Sequence, residues 1–252
     1  MVEPLFFDGS LKASSLSVGG SFQLTGPEGK HAATVRRVRA GERIQVTNGI
    51  GLRVRGTVET AEGSSVSIKI DSLVQEAEPR IGITLVQALA KGDRDEMAIQ
   101  SATELGAVGF IPWQSERSIS RWEGPKIAKG VDRWQQIVLE AMKQSLQVWL
   151  PVVTEPQTTK QLLATFEKFD HVLVLDPTAT ELLVDTEVSG GVAIVVGAEG
   201  GISDAELAAF GATKARAVRL GSGVLRTSTA GPAAIAVLQS RFGDWLGDSS
   251  AN

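Results

Sequence analysis

Between Ile81 and Leu246, short apolar runs alternate with longer segments of helical period, and this alternation constrains the fold more than any other feature of the chain. "IGITLVQAL", "VGFIPW", "HVLVLD", "GGVAIVVG" and "ARAVRLG" read as strands. "DRDEMAIQSATELG", "VDRWQQIVLEAMKQSL" and "TAGPAAIAVLQSRFGDWL" read as helices, the first stopped by Gly106. In the second helix Trp134, Val138, Ala141 and Ser145 form one row, and Ile137, Glu140 and Gln144 another. Strands separated by helices imply a mostly parallel α/β sheet, because parallel neighbours need a crossover between them.

Before Pro79 the pattern is different. "SFQLTG", "RIQVTNG", "LRVRGTVET" and "SVSIKIDSLV" carry β-branched residues in near-alternation. "NGIG" (Asn48 to Gly51) is a turn signal between two of them, and Val66, Ile68 and Ile70 would share one face. A small β-barrel over residues 1–74 is expected, followed by a polar linker at 75–80, an α/β domain at 81–246 and a frayed tail at 247–252. The chain's 252 residues suffice for two such cores.

The chain contains no cysteine, which excludes disulfides, thiolate zinc sites and a cysteine nucleophile. His31 and His171 are its two histidines, and neither sits in a metal-ligand pattern, so no metal is expected. The opening "MVEPLFFDGS" has no basic start, and no stretch approaches the roughly 18 apolar residues of a spanning helix. These features set the expectation of a cytoplasmic protein without a membrane partner. Net charge is −4, yet Lys30 to Arg55 holds seven basic residues and one acid, Glu42. Such a segment either meets phosphates by charge attraction or is a solvated charged face.

Two glycine corners carry the chemistry. In "VVGAEGGISDAEL" (Val195 to Leu207) a strand run ends in Gly197, Gly200 and Gly201, and Ser203 and Glu206 have the spacing of a capping box. The order G-x-x-G-G is not the dinucleotide fingerprint, no Gly-Lys-Ser/Thr follows, and Glu199 would repel a phosphate. From this stretch alone a structural turn and a ligand loop stand level. "RLGSGVLRTSTAGPAA" (Arg219 to Ala234) repeats the architecture with Gly221 and Gly223 and adds Arg226, a fixed cation with a planar donor fork. Loops at the carboxyl ends of strands form the ligand crevice of an open α/β sheet, so two such loops could wrap one small molecule.

Together these stretches resemble the ribosomal RNA small-subunit methyltransferase E family, of the knotted SPOUT superfamily. The family's G-P-E-G-G-[FIL]-[ST]-x-x-E reads here Gly197-Ala198-Glu199-Gly200-Gly201-Ile202-Ser203 with Glu206, and L-G-x-x-[IV]-L-R-x-[ES]-T-A reads Leu220 to Ala230. Lys91 to Gly106, Ser115 to Ser118, Arg133 to Ser145 and His31 to Glu42 match further blocks in order, over nearly the whole chain. The chain departs from the pattern at Ala198, where proline is usual, and at Gln147, where arginine is usual. It also lacks the arginine that often precedes the first aromatics.

The resemblance implies an α/β fold in which a C-terminal SPOUT domain with a deep trefoil knot follows a small N-terminal PUA-like β-barrel, working as a homodimer. It implies S-adenosyl-L-methionine as cofactor, and methylation of N3 of a uridine in small-subunit (16S) ribosomal RNA, within an assembled subunit. Leu175, Gly197, Glu199, Gly200, Gly201, Ile202, Leu220, Gly221, Val224, Leu225 and Thr227 would hold the cofactor. Arg226 is the catalytic candidate, and Arg36, Arg37, Lys91, Arg117 and Gln144 are candidates for RNA contact. Glu199, Glu104, Asp176 or water would accept the N3 proton. A ribose 2′-O methyltransferase, a non-catalytic RNA-binding factor and a nucleotide-dependent oxidoreductase are the rival readings.

Overall fold

The computed structural model describes residues 2–246, and the tail expected at 247–252 lies outside them. The chain forms two compact units. One comprises the residues up to Glu78 together with Met142–Leu150, and the other comprises Pro79–Ala141 with the chain from Pro151 onward.

The first unit is built on a five-stranded sheet of order β1-β3-β4-β5-β2. Its strands are β1 (Leu5–Phe7), β2 (Ser21–Leu24), β3 (Arg43–Thr47), β4 (Leu52–Glu62) and β5 (Ser65–Gln75). All pairs are antiparallel except β1 with β3. Alternation places Val66, Ile68 and Ile70 on the buried face, packed with Leu24, Ile44, Leu52 and Val58. At the β3–β4 turn the Asn48 carboxamide oxygen accepts the N–H groups of Ile50 and Leu52, at 2.9 and 3.2 Å. The basic segment begins in α1 (Gly26–Lys30) and continues as a wider helical turn over His31–Val35. That turn closes through the Val38 N–H on the Ala32 carbonyl (3.0 Å), with Arg37 in the left-handed region at φ 56.

Residues 142–150 belong to this first unit, whereas the sequence pattern assigns them to one continuous second domain. The physical reason is a set of specific bonds. Lys143 is buried and its ammonium meets Glu28 at 2.9 Å; the Arg53 guanidinium donates to the Leu146 carbonyl, and Leu150 N–H to Gly49.

The second unit carries seven strands among the described residues, all paired parallel. They are β6 (Gly82–Ala88), β7 (Gly109–Gln114), β8 (Val152–Val153), β9 (Gln157–Thr158), β10 (His171–Leu175), β11 (Gly191–Val196) and β12 (Arg216–Val218). Their order is β12-β10-β11-β6-β7-β8, with β9 also on β7. The helices are α2 (Arg94–Glu104), α3 (Pro125–Gln144), α4 (Thr159–Thr165), α5 (Asp204–Gly211) and α6 (Thr227–Phe242). Val86, Val174 and Val195 pack with Leu162 of α4 and Phe210 of α5. Helices α2 and α6 pack on each other and on the central strands.

Helix α3 starts six residues before the segment read as helical. Pro125 supplies a preset φ at its start, and the mid-helix Gly130 is explained by packing. A Cβ there would lie 2.5 Å from the Trp122 ring, which itself stacks edge-on against Trp134. Among the described residues no helix is long and apolar enough to cross a membrane.

Candidate functional site

Strands β10, β11 and β12 end side by side, and the loops leaving them wall a cavity of about 740 Å³. The first wall is the corner after β11. A Cβ on Gly197 would meet Ile202 Cγ1 at 2.8 Å and the Gly201 backbone at 2.9 Å, so only glycine permits this fold-back. Gly201 has φ 74, and its N–H donates to the Ala198 carbonyl at 2.9 Å, so the turn closes without the family's proline.

Three braces hold this corner from outside. The Arg117 guanidinium donates to the carbonyls of Gly200 (2.9 Å) and Ile202 (3.2 Å). The Glu199 carboxylate accepts from the Arg94 side chain at 2.7 Å and from Lys91 N–H at 3.0 Å. Behind them the capping box forms in full: Ser203 Oγ accepts Glu206 N–H, and Ser203 N–H donates to Glu206 Oε2. Glu206 is buried, and its other oxygen accepts from Glu116 N–H and Thr159 Oγ1, both at 2.8 Å. One carboxylate thereby joins the starts of α4 and α5 to the chain after β7.

The second wall is the loop from Arg219 to Arg226. It meets the first at Thr227, whose hydroxyl donates to the Gly197 carbonyl at 2.7 Å and accepts from Gln87 Nε2 at 2.9 Å. Gln87 is fully buried near the end of β6, and its Oε1 has no partner among the described residues. Gly221 and Gly223 differ from the first glycines, because a Cβ on either meets nothing within 4 Å. The fold does not require glycine there. Both line the cavity, so their missing side chains leave room for a ligand against bare backbone.

Leu175, Gly197, Glu199, Gly200, Gly201, Ile202, Leu220, Gly221, Val224, Leu225 and Thr227 all line this one cavity, and so do Arg226 and Arg117. Arg226 is exposed, just before α6, with no ion-pair partner among the described residues. Lys91, Gln144, Arg36 and Arg37 are exposed and do not line the cavity. Of the three carboxylates considered as proton acceptors, Glu104 lies outside the cavity and accepts from Gln100 on its own helix. Partial burial pushes the Glu199 pKa up, but hydrogen bonds from its own N–H, from Arg94 and from Lys91 N–H outweigh it, and the net shift is downward. Asp176 lines the cavity, with one oxygen holding Thr178 N–H and Oγ1 at 2.8 Å.

Sequence reasoning does not single out Gln87, Arg94 or Arg219. Gln87 carries a signal, a lone amide at the end of the apolar run "ITLV". Arg94 and Arg219 carry none, since nothing local separates a pairing arginine from a free one.

An open parallel sheet with a ligand cavity over its carboxyl ends defines the class, and comparison with known families narrows it. The RNA methyltransferase domain family matches residues 77–239, and the RNA methyltransferase PUA domain family matches residues 24–71. "Ribosomal RNA small subunit methyltransferase E" of Mycobacterium bovis is 39% identical over 251 residues, 96% of this chain and 94% of that one. The Bacillus subtilis protein of the same name is 31% identical over 83% of this chain and 86% of its own. The crystal structure of such an enzyme from Neisseria gonorrhoeae bound to S-adenosyl methionine superposes with a TM-score of 0.86 at 30% identity, covering 97% of this chain and all of that one. The chain belongs to the ribosomal RNA small subunit methyltransferase E family.

Proposed function

We propose that this protein transfers the methyl group of S-adenosylmethionine to N3 of a uridine in small-subunit ribosomal RNA. The observation that carries the reading is the cavity walled by both glycine corners and lined by Arg226, which has no ion-pair partner among the described residues. The similar Neisseria gonorrhoeae structure, bound to S-adenosyl methionine, supports the cofactor, and the names of the relatives support the RNA.

When bound, S-adenosylmethionine supplies an electrophilic methyl on a sulfonium. The residues from Gly197 to Ile202 and from Leu220 to Thr227, with Leu175, would hold it through backbone N–H and C=O groups. The Glu199 carboxylate is paired with Arg94 and bonded to Lys91 N–H, so it fixes the shape of that wall. Uracil N3–H is a poor nucleophile until its proton leaves. The Arg226 guanidinium, placed at the uracil oxygens, stabilises the imide anion that develops. Glu199 is engaged by two donors and its pKa is lowered, so it serves the wall rather than the proton. Water takes the N3 proton.

RNA contact is assigned to Arg36, Arg37, Lys91 and Gln144 by their exposure, and Arg117 contributes by bracing the corner. The trefoil knot, the homodimer and the cytoplasmic setting rest on family membership. Closure of the first sheet into a barrel is supported by its order, which puts the successive strands β1 and β2 at opposite edges. We take the barrel as residues 1–74, the linker as 75–80 and the catalytic domain from 81 to 246, apart from Met142–Leu150, which belong with the first unit.

The test is methyl transfer from labelled S-adenosylmethionine to small subunits lacking the modification, followed by mass spectrometry of the nucleosides. N3-methyluridine is expected. A ribose-methylated product would instead make this a 2′-O enzyme, and no incorporation would refute the reading. Arg226→Ala should keep cofactor affinity and lose most turnover; near-normal turnover would remove Arg226 from the chemistry.

A further inference from the structure

The loop that leaves β7 and enters α3 is pinned on both sides of one exposed apolar residue. The buried hydroxyls of Ser115 and Ser118 bond each other at 2.8 Å, and Ser118 N–H donates to the Ser115 carbonyl at 3.2 Å. Between them, Glu116 N–H donates to the Glu206 carboxylate, and the Arg117 guanidinium reaches the Gly200 and Ile202 carbonyls. On the far side the Arg121 guanidinium donates to the Glu116 carbonyl at 3.3 Å. Trp122 N–H donates to the Gln114 amide oxygen at 3.2 Å, and its ring stacks edge-on against Trp134. Ile119 lies between these anchors and is 74% exposed.

Single apolar residues are ordinary on a protein surface. Three features set Ile119 apart. The residues on either side of it are bonded elsewhere, so the loop holds it outward. It is two residues from Arg117, which lines the cavity, so their Cα atoms are at most about 7 Å apart. The charge around it is basic: Arg121, Lys126 and Lys129 are exposed, and none has an ion-pair partner among the described residues. The Glu116 carboxylate is instead taken up by the Ser203 hydroxyl, at 2.6 Å. A stiff apolar tip in a basic field suits a polyanion whose apolar surface lies between its stacked bases. N3 lies on the pairing edge of uracil, and the base must leave its neighbours to enter a crevice. Displacing it costs stacking, which an apolar side chain inserted into the gap offsets. A β-branched side chain suits this role, because little χ1 freedom is left for it to lose.

We propose that Ile119 is a wedge that fills the stack vacated by the target uridine, while Arg121, Lys126 and Lys129 meet the flanking phosphates. This rests on the RNA methyl-transfer reading of the neighbouring cavity. Ile119 touches neither the methyl donor nor N3; it is a positioning residue that holds the substrate open.

The test separates binding from the rate of the bound complex. Small subunits lacking the modification are saturated with enzyme, and methyl transfer from labelled S-adenosylmethionine is followed over one turnover. Ile119→Ala should slow that turnover about tenfold, the scale of burying one aliphatic side chain. RNA affinity should stay nearly unchanged, because phosphate contacts carry most of it. Ile119→Leu should restore the rate, and Ile119→Asn, of similar size but polar, should be as slow as alanine. Melting temperature and S-adenosylhomocysteine affinity should match wild type in all three variants. An unchanged rate in Ile119→Ala, an asparagine variant as fast as wild type, or a leucine variant as slow as alanine would overturn the wedge. Weakened RNA binding with a normal saturated rate would also overturn it and make Ile119 an ordinary contact. A lower melting temperature or weaker S-adenosylhomocysteine binding in Ile119→Ala would overturn it in favour of a structural role. A wild-type chain that transfers no methyl removes the methyl-transfer reading itself, and the wedge with it.

Discussion

Asp95 sits in the first turn of α2 at 5% exposure, and its titration gives a sharp test of how the loop beside the cavity is held. Burial pushes its carboxyl up; hydrogen bonds from the N–H groups of Ala90, Glu96 and Asp95 itself pull it down; and the charge of Glu96 raises it again. The result is a pKa of about 6 against an ordinary 3.8. A carboxyl raised in the folded state binds its proton more tightly there than in the unfolded chain. Stability is therefore greatest below the unfolded pKa and falls as pH rises through the folded one. A rise of this size corresponds to about 3 kcal/mol, fully expressed at about pH 7.5 and about half expressed at about pH 5. Asp95→Asn removes the charge. It keeps one carbonyl oxygen for either Ala90 N–H (3.3 Å) or Glu96 N–H (2.9 Å) and loses the other bond, a loss of about 1 kcal/mol at any pH. The variant should be about 2 kcal/mol more stable than wild type at about pH 7.5 and close to it at about pH 5. Urea denaturation of both proteins at the two pH values measures this. A stability difference independent of pH, or one that favours wild type more strongly at the higher pH, would show that Asp95 is not a buried, uncompensated carboxylate.

Three further outcomes are expected. Thr227→Val deletes the hydroxyl that ties Gln87 to Gly197; it should destabilise the fold by about 2 kcal/mol and weaken S-adenosylhomocysteine binding, read by melting and calorimetry on the same sample. Gly130→Ala should lower stability by about 1 kcal/mol although alanine is the better helix former, because its Cβ would lie 2.5 Å from the Trp122 ring; a rise in melting temperature would mean Trp122 moves freely. Replacing both Arg36 and Arg37 by Glu should weaken RNA binding and reduce the salt slope by about 1.5 to 2, with cofactor affinity intact; an unchanged slope in filter binding would make that face solvent-exposed charge only.

The parts of this protein legible in its sequence are those governed by local period. The alternation of Val66, Ile68 and Ile70 and the apolar runs of β6, β10 and β11 depend on neighbours a few residues away, and the structure buries them accordingly. The cap at Ser203 and Glu206 is legible for the same reason. The box at Thr158 and Gln161 has the same form and starts α4, but no long apolar period follows it to draw attention. Strands β8 and β9 are two residues each, too short to carry a period. The return of Met142–Leu150 to the first unit is illegible in principle, because it depends on Lys143 finding Glu28 across 115 positions of sequence. The cavity divides along the same line. Both glycine corners are readable as loops, but the state of each arginine is not. Arg94, Arg117, Arg219 and Arg226 look alike as letters, and which of them are bound depends on the strand order that sets β12 beside β10.

That division separates two kinds of wall. Gly197 and Gly201 are demanded by the corner's own packing, and Arg117, Arg94 and the capping box brace it. The first wall is thus complete before any ligand arrives. In the loop from Arg219 to Arg226 the glycines answer no contact of the fold, and Val224 stays 80% exposed. This loop is tied at its ends, through Arg219 N–H on the Glu181 carbonyl and through Thr227 on Gly197. An alanine at Gly197 must disturb stability and affinity together, since the fold and the ligand use the same close approach. An alanine at Gly221 or Gly223 leaves the fold untouched and intrudes only on the space a ligand fills, so it should lower affinity at unchanged melting temperature. Ligand binding can therefore be tuned on the second wall without rebuilding the first.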